Sequence, residues 1–311
     1  MRIAICHDWP VHYEQEYTWR DGLAAAIREL AKRHEVKFWV EGKKSLIEHP
    51  YFPIHVSQNI RDEVKAYKPD VILMWGDLTR PNAEPLSTLG RPMALCFAGG
   101  AASGPTLPHF DHIFVESQVY FDRFSAAGRS VSRAFGTNTE LFTPMDSHKH
   151  FDAIFPATFA AWKRHNIYAE AVRGLPACAV GYMIPNHEEF CWKACEAAQV
   201  LTLPHVSAET LHRLMGASKT CVITSHETGG SQRTVLEALS MNLPVIVMED
   251  SDKTSEYVRQ AGGYIVPPKP DLIREAILNA EPQTTRQWVL DNYSEYKYAA
   301  DLETGLLSLC S

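Results

Sequence analysis

The sequence lacks the features that mark membrane, secreted and low-complexity proteins. No apolar run reaches the roughly 18–20 residues of a membrane-spanning helix, and no repeat or biased segment is visible. The apolar stretch 1–6 carries one basic residue and stops at His7-Asp8, which predicts a first strand and not a signal peptide. A chain of 311 residues with 45% apolar and 22% charged residues is typical of a soluble protein of about two domains.

Basic residues are fewer than acidic ones, at 30 against 37. The formal net charge is −7, so the chain is not built as a general nucleic-acid or membrane-surface binder, although a local basic groove is compatible with this total. The seven cysteines are odd in number and mostly lie in apolar segments. We therefore expect reduced thiols and a cytoplasmic protein.

Spacings typical of metal sites are missing. Cys191 and Cys195 lie four residues apart with His187 nearby, but no second ligand pair follows at a zinc-like distance. The 14 histidines are scattered, with no H-E-x-x-H pattern. The sequence predicts no bound metal.

Strand-like and helix-like segments alternate along the chain in two series, separated by the polar segment 142–149. Alternation of this kind predicts an α/β fold of two Rossmann-like domains, which we place at 1–146 and 151–285. Ligands of such sheets bind beyond the carboxyl ends of the strands, so we expect two domains facing across a cleft that holds the site.

One strand-to-helix junction has the composition of a phosphate site. The apolar strand Cys221–Thr224 is followed by the small residues 228–231 and by a helix from about Arg233. Small residues let the backbone approach a ligand, and a helix amino terminus attracts anions. Glu237, one turn into this helix, can accept hydrogen bonds from ribose hydroxyls. The alternative is a plain strand–helix turn with a solvated glutamate.

The surrounding residues resemble a known family. Leu236–Ile246 (LEALSMNLPVI), Glu256 and Gly262–Pro268 (GGYIVPP) resemble the donor-binding segment of the family-4-type, retaining glycosyltransferases of group 1, which have the GT-B fold. The opening strand, which ends in His-Asp-Trp, and the segment Gly136–Pro144 resemble other parts of these enzymes.

This resemblance implies transfer of a sugar, with retention, from a UDP- or GDP-linked nucleotide-diphosphate sugar to an acceptor hydroxyl, without metal or other cofactor. It implies a donor site in the second domain, with Lys163 on the diphosphate and Glu237 on the ribose. Gly229 stands where the family has its first glutamate, and the nearest acid is Glu227. Lys163 and Glu227 are catalytic candidates on this side. The donor-binding candidates are Lys163, Arg164, Thr228, Gly229, Gly230, Ser231, Gln232, Thr234 and Glu237.

On the acceptor side the family likeness is weaker. His7 and Asp8 are catalytic candidates, and His12, Asp77, Gly99 and Gly100 are acceptor-binding candidates because they follow strands of the first domain. Ala98 stands where the family usually has a histidine. The resemblance also implies that the carboxy-terminal segment 286–311 packs back on the first domain through Trp288, Tyr293 and Tyr296.

Other functions remain open at this stage. The acceptor is a glycan, a small molecule or a modified base in DNA, as in phage-type glycosyltransferases that act on hydroxymethylated bases. The loss of the first glutamate and of the histidine is compatible with a non-catalytic nucleotide-sugar-binding protein. A sugar-nucleotide epimerase of the same shape is a third alternative. The sequence does not indicate the oligomeric state.

Overall fold

The computed structural model describes residues 1–7, 22–49, 51–183, 188–226 and 233–311. The chain divides into two compact units. The first unit comprises Met1–Thr137 together with Ser294–Ser311, and the second comprises Asn138–Tyr293.

In its described residues, the first unit is built on an eight-stranded sheet in the order β3-β4-β2-β1-β5-β6-β7-β8. Every pairing is parallel except that of β3 with β4. The strands are β1 Arg2–His7, β2 Glu35–Glu41, β3 Ser45–Ile47, β4 Ile54–Ser57, β5 Val71–Gly76, β6 Met93–Phe97, β7 His112–Val115 and β8 Val131–Arg133. The helices are α1 Gly22–Ala31, α2 Ile60–Tyr67, α3 Ala83–Ser87, α4 Gln118–Ala126 and α12 Glu295–Cys310.

The central strands of this sheet are apolar on both faces. In β1, Ile3 and Ile5 belong to one buried cluster, whereas Ala4 and Cys6 belong to the other. A strand covered on both sides needs apolar residues at every position, which is why it forms a continuous apolar run in the sequence. Helices therefore cover both faces of the sheet, as the strand–helix alternation predicts.

The second unit contains, in its described residues, a parallel six-stranded sheet in the order β11-β10-β9-β12-β13-β14. Numbered from its own first strand this is 3-2-1-4-5-6, the Rossmann order. The strands are β9 Phe151–Pro156, β10 Ala177–Val180, β11 Leu201–Leu203, β12 Ser218–Ile223, β13 Val245–Met248 and β14 Tyr264–Val266. The helices are α5 His165–Ala171, α6 Glu188–Ala197, α7 Ala208–Gly216, α8 Arg233–Ser240, α9 Asp252–Ala261, α10 Pro270–Leu278 and α11 Arg286–Tyr293.

The boundary between the units lies before the polar segment that suggested it in the sequence. The carbonyl of Phe142 accepts hydrogen bonds from the Ser240 hydroxyl (2.7 Å) and from the Arg286 guanidinium (2.9 Å). These bonds hold the start of the segment and α11 to α8. Residues from Asn138 onward and α11 therefore belong to the second unit, whereas the sequence suggested boundaries at 146 and 285.

The carboxy-terminal helices use a different packing face from the one expected. Tyr296 is 50% exposed, because α12 buries Tyr298, Leu302 and Leu306 in the first unit instead. Tyr293 packs against Trp288 within the second unit, with the ring centres 5.1 Å apart. The prediction that Trp288, Tyr293 and Tyr296 form one face against the first domain is wrong, since the chain passes from one unit to the other after Tyr293.

The described residues contain no helix able to span a membrane, no disulfide and no cluster of metal ligands. Among the helices of the described residues, none has the length and apolarity to cross a bilayer. All seven cysteines lie in described segments, and no disulfide joins any two of them. Within the same segments, no three His, Cys, Asp or Glu side chains are grouped as a metal site would require. Cys191 and Cys195 are buried on α6, and His187 lies outside the described residues.

Candidate functional site

The candidate site of the second unit lies at the carboxyl edge of its sheet. After β9 the chain forms a short turn of 3-10 helix, Ala161–Lys163, and then begins α5. This turn is tied to the end of the neighbouring strand β12, since the amide of His226 donates to the carbonyl of Trp162 (2.9 Å) and the hydroxyl of Thr224 donates to the carbonyl of Lys163 (2.8 Å). Two basic side chains are thereby fixed at the edge where ligands of such sheets bind.

Arg164 connects three segments of this edge. Its guanidinium forms a bidentate pair with Asp250, at 2.6 and 2.8 Å, and donates to the carbonyls of Thr224 and Ser225. The hydrogen bond from Arg164 lowers the pKa of Asp250 below its usual value. Arg164 has a left-handed backbone (φ 56°), the conformation that turns the chain into α5. Its guanidinium is thus committed to holding the ends of β12 and β13.

Lys163 is a buried cation, only 7% exposed. It lies close to the fully buried His165, which stacks on Phe159 with the ring centres 4.6 Å apart. Burial, and then the charge of Lys163, lower the pKa of His165 to about 3, so the imidazole is neutral at pH 7. A buried ammonium next to a neutral imidazole, at a site that resembles a donor pocket, is suited to bind a phosphate group.

Glu237 lies on α8, the helix that follows β12, and is fully buried together with the nearly buried Thr234. Its carboxylate is near Cys221 of β12. Burial and this negative charge raise the pKa of the Cys221 thiol. Glu237 is therefore not a solvated glutamate on a surface helix, which was the alternative that the sequence left open. Residues Glu227, Thr228, Gly229, Gly230, Ser231 and Gln232 lie outside the described residues.

The next helix adds a cation that the sequence analysis missed. Lys253, in the first turn of α9, is only 2% exposed, and Glu256 lies one turn further along. The signal was available in the sequence, because the polar run Glu249–Lys253 directly follows the buried strand β13. The resemblance correctly predicts that Glu256 lies on the helix after this strand.

In the first unit, several of the predicted residues meet at the carboxyl ends of β1 and β5. His7 is buried and stacks on Trp75, its partner in the strand pairing, at 4.5 Å between ring centres. Asp77 follows β5, pairs with the guanidinium of Arg80 (3.1 Å) and accepts a hydrogen bond from the amide of Thr79 (2.8 Å). Asp77 is thereby fixed in a tight turn at the strand end.

Gly99 and Gly100 follow β6, the neighbour of β5, and both have positive φ (103° and 108°). The amide of Gly100 donates to the hydroxyl of Tyr120 (3.1 Å), and a Cβ added to Gly100 would lie 3.9 Å from Cβ of Asp77. The structure therefore brings Asp77 and Gly100 together. Asp8 and His12 lie outside the described residues.

The chain has the GT-B fold of two Rossmann-like units, because solved structures of that fold match it over nearly its whole length. Sucrose-phosphate synthase from Thermosynechococcus elongatus has 16% identity and a TM-score of 0.71, over 99% of this chain and 98% of that one. HepE from Anabaena, solved with UDP-glucose, has 14% identity and a TM-score of 0.74, over 99% and 100% of the two chains. AviGT4, a glycosyltransferase of avilamycin A biosynthesis, has 12% identity and a TM-score of 0.72, over 100% and 98%.

The second unit carries a more specific likeness. The family model "Glycosyl transferases group 1" matches residues 154–280, from β9 into the segment that follows α10. A comparison with curated proteins finds no match. The α/β GT-B fold and the resemblance to group 1 glycosyltransferases, both predicted from the sequence, are confirmed.

Proposed function

We propose that the protein is a glycosyltransferase that moves a sugar from a nucleotide-diphosphate donor to an acceptor hydroxyl with retention. The observation that carries the proposal is that a buried cation, Lys163, follows β9 and that a buried carboxylate, Glu237, lies on α8, which follows the neighbouring strand β12. The family model over residues 154–280 supports this assignment. HepE, a protein of the same fold, binds UDP-glucose, which favours a UDP-linked donor over a GDP-linked one.

A cation and a carboxylate would hold two different parts of the donor. Lys163 neutralises the diphosphate, and the amides that follow β12 add to it, while the Glu237 carboxylate accepts hydrogen bonds from the ribose hydroxyls. Arg164 acts as a positioning residue, because Asp250 and two carbonyls occupy its guanidinium. This assignment differs from the sequence-based prediction that Arg164 contacts the donor.

In the proposed reaction the bond between the anomeric carbon and the diphosphate oxygen breaks, and a bond from that carbon to the acceptor oxygen forms. The nucleoside diphosphate leaves with the electron pair, and its departing phosphate oxygen takes the proton of the acceptor hydroxyl. The charge that develops on the leaving diphosphate is the main quantity to stabilise, so Lys163 makes the largest contribution to the rate. No metal is required, since fixed cations and backbone amides supply this stabilisation. Asp77 and Gly100, with His7, would line the acceptor side.

The test is turnover with UDP- and GDP-sugars across a panel of glycans, small alcohols and hydroxymethylated DNA. We expect release of nucleoside diphosphate with one donor, no loss of rate with EDTA, and a product whose anomeric configuration, read by NMR, is that of the donor. Lys163→Gln lowers kcat at least a hundredfold, about 3 kcal/mol of barrier. Lys219→Gln, at the other end of β12, leaves the rate unchanged. An inverted product contradicts retention, and transfer to DNA alone identifies the DNA-modifying alternative.

The non-catalytic alternative is tested by the same experiment. Gly229 in place of the family's first glutamate favours it. A protein that binds a nucleotide sugar but releases no nucleoside diphosphate with any acceptor, and none with water, would be a binding protein. A changed sugar without an acceptor product would indicate an epimerase.

A further inference from the structure

A cavity of about 280 Å³ in the first unit is lined by seven residues, four of which are basic. It lies between the carboxyl end of α2 and the segment that joins α3 to β6. Its lining consists of Arg61, Lys65, Lys68, Pro69, Thr88, Leu89 and Arg91. The cavity thus carries local positive charge, although the net charge of the whole chain is −7.

Three of these cations are not neutralised by any side chain in the part of the chain that the structure describes. Among the described residues, no hydrogen bond or ion pair involves the side chains of Lys65, Lys68 or Arg91, while Arg61 pairs with Asp62 at 3.0 Å. The three lie at exposed positions around a concavity, so they can turn toward a shared ligand. Their mutual repulsion is relieved when an anion enters the cavity.

Of the nearby carboxylates, Asp62 pairs with Arg61 of the cavity, whereas Glu63 and Asp70 are engaged elsewhere. Glu63 accepts hydrogen bonds from the Trp39 indole (3.1 Å) and the Ser57 hydroxyl (2.9 Å). Asp70 accepts from the backbone amide of Arg2 (2.6 Å). The local arrangement therefore keeps Glu63 and Asp70 bound to other partners and leaves the cavity with an excess of positive charge.

The two walls of the cavity are joined by a fixed contact. Arg61 of α2 donates through Nε to the hydroxyl of Thr88 (3.0 Å), and this hydroxyl donates to the carbonyl of Pro85 (2.7 Å). Lys68 ends α2 in a left-handed conformation (φ 53°), and its amide is bound to carbonyls of the last turn. A ligand would meet preformed walls, which reduces the entropy cost of binding.

The cavity is distinct from the candidate acceptor side of the same sheet. Pro69 and Arg91 precede β5 and β6, whereas Asp77 and Gly99 follow these strands. Five residue steps along β5 separate the two edges by about 17 Å. A ligand in the cavity would not touch the reacting groups.

We propose that this cavity is a binding site for a compact phosphate-bearing anion, separate from both candidate sites for the transfer reaction. A concave pocket with several cations suits one or two phosphate groups, which gain charge-assisted hydrogen bonds from lysine and arginine. The phosphate is either that of a soluble anion or that of a lipid headgroup. The proposal does not depend on the proposed glycosyl transfer.

Binding is measured by calorimetry with inorganic phosphate and pyrophosphate, and by co-sedimentation with phosphatidylcholine vesicles with and without phosphatidic acid. The test variant is Lys65→Gln/Lys68→Gln. The control is Lys43→Gln/Lys44→Gln, which removes the same charge from two other lysines of the same unit. We expect the Kd to rise at least tenfold in the test variant and to stay unchanged in the control. Binding of pyrophosphate assigns a soluble anion, and binding only to vesicles with phosphatidic acid assigns a lipid headgroup.

Lys163→Gln separates this site from the proposed donor site. Pyrophosphate bound in the second unit would be lost in Lys163→Gln and kept in Lys65→Gln/Lys68→Gln, and that result overturns the proposal. Absence of binding to every probe also overturns it, as does an equal loss in the test and control variants. Circular dichroism and thermal unfolding verify that all variants are folded.

Discussion

Lys163 and Arg164 are adjacent cations with different surroundings. Arg164 is saturated by Asp250 and by the carbonyls of Thr224 and Ser225, so its planar guanidinium serves the architecture of the strand ends. Lys163 is buried at the same edge. The planar arginine is suited to hold the turn through several fixed hydrogen bonds. The compact ammonium of the lysine is suited to bind the proposed ligand.

Arg164→Lys tests the structural part of this division. Lysine cannot form the bidentate pair with Asp250 and also reach two carbonyls, so we expect the free energy of unfolding to fall by roughly 2 kcal/mol. Urea unfolding measures this change. Arg213→Lys, on the exposed side of α7, is the matched control and should lie within about 0.5 kcal/mol of the wild type. Equal stability of the two variants would contradict the role given to Arg164.

His165 makes stability depend on pH. Its pKa is about 3 in the folded protein and 6.5 when unfolded, so below pH 6.5 the unfolded chain binds a proton that the folded one does not. The contribution of the neutral His165 to the free energy of unfolding is fully present above pH 6.5 and is lost as the pH falls toward 3. Between pH 6.5 and 5 the loss is roughly 1–2 kcal/mol.

His165→Phe keeps an aromatic ring against Phe159 and removes the titration. We expect its urea midpoint to fall less steeply than that of the wild type between pH 6.5 and 5. His148→Phe, at an exposed position, should keep the wild-type slope. A wild-type slope in His165→Phe would show that the buried imidazole is not the source of the pH dependence.

At the scale of elements, long apolar or periodic segments are predictable and short ones are not. The sequence predicts β12 and α8 to within a few residues, because an apolar strand and a helix follow each other in close succession. It misses β3 and β4, whose 3 and 4 residues are too few for a periodicity to be detected. β4 pairs with the edge of β2, and β3 pairs with β4, so both strands depend on tertiary contacts.

The helix α12 packs on the first sheet through one row of buried side chains. Leu302 is fully buried, whereas Leu307 on the same helix is 49% exposed. Leu302→Ala leaves a cavity against the first unit and should lower the free energy of unfolding by about 2–4 kcal/mol. Leu307→Ala is the control and should change it by about 0.5 kcal/mol or less. Thermal or urea unfolding distinguishes them, and similar losses in both would contradict the described packing.

At the scale of the whole molecule, the class of fold follows from the strand–helix alternation, but the assignment of segments to units does not. The polar segment 142–149 has the composition of a linker, yet hydrogen bonds from Ser240 and Arg286 hold Phe142 to the second unit. Likewise, Arg164 and Asp250 are 86 positions apart in the chain, so no local pattern predicts their pairing. Lys163 and Glu237 are predicted as donor-site residues because the motifs that carry the family resemblance are local and each follows a strand.

The proposed function requires that the carboxyl edge of the second sheet bind a nucleoside diphosphate. It is tested most directly by thermal unfolding of the wild type, Lys163→Gln, Glu237→Gln and the control Lys219→Gln with UDP, GDP and ADP. A nucleotide at about 100 times its Kd adds about 2.7 kcal/mol to stability. We expect this gain for one base in the wild type and in Lys219→Gln, and its loss in the other two variants. No gain with any nucleotide, or a gain that survives both substitutions, would contradict it.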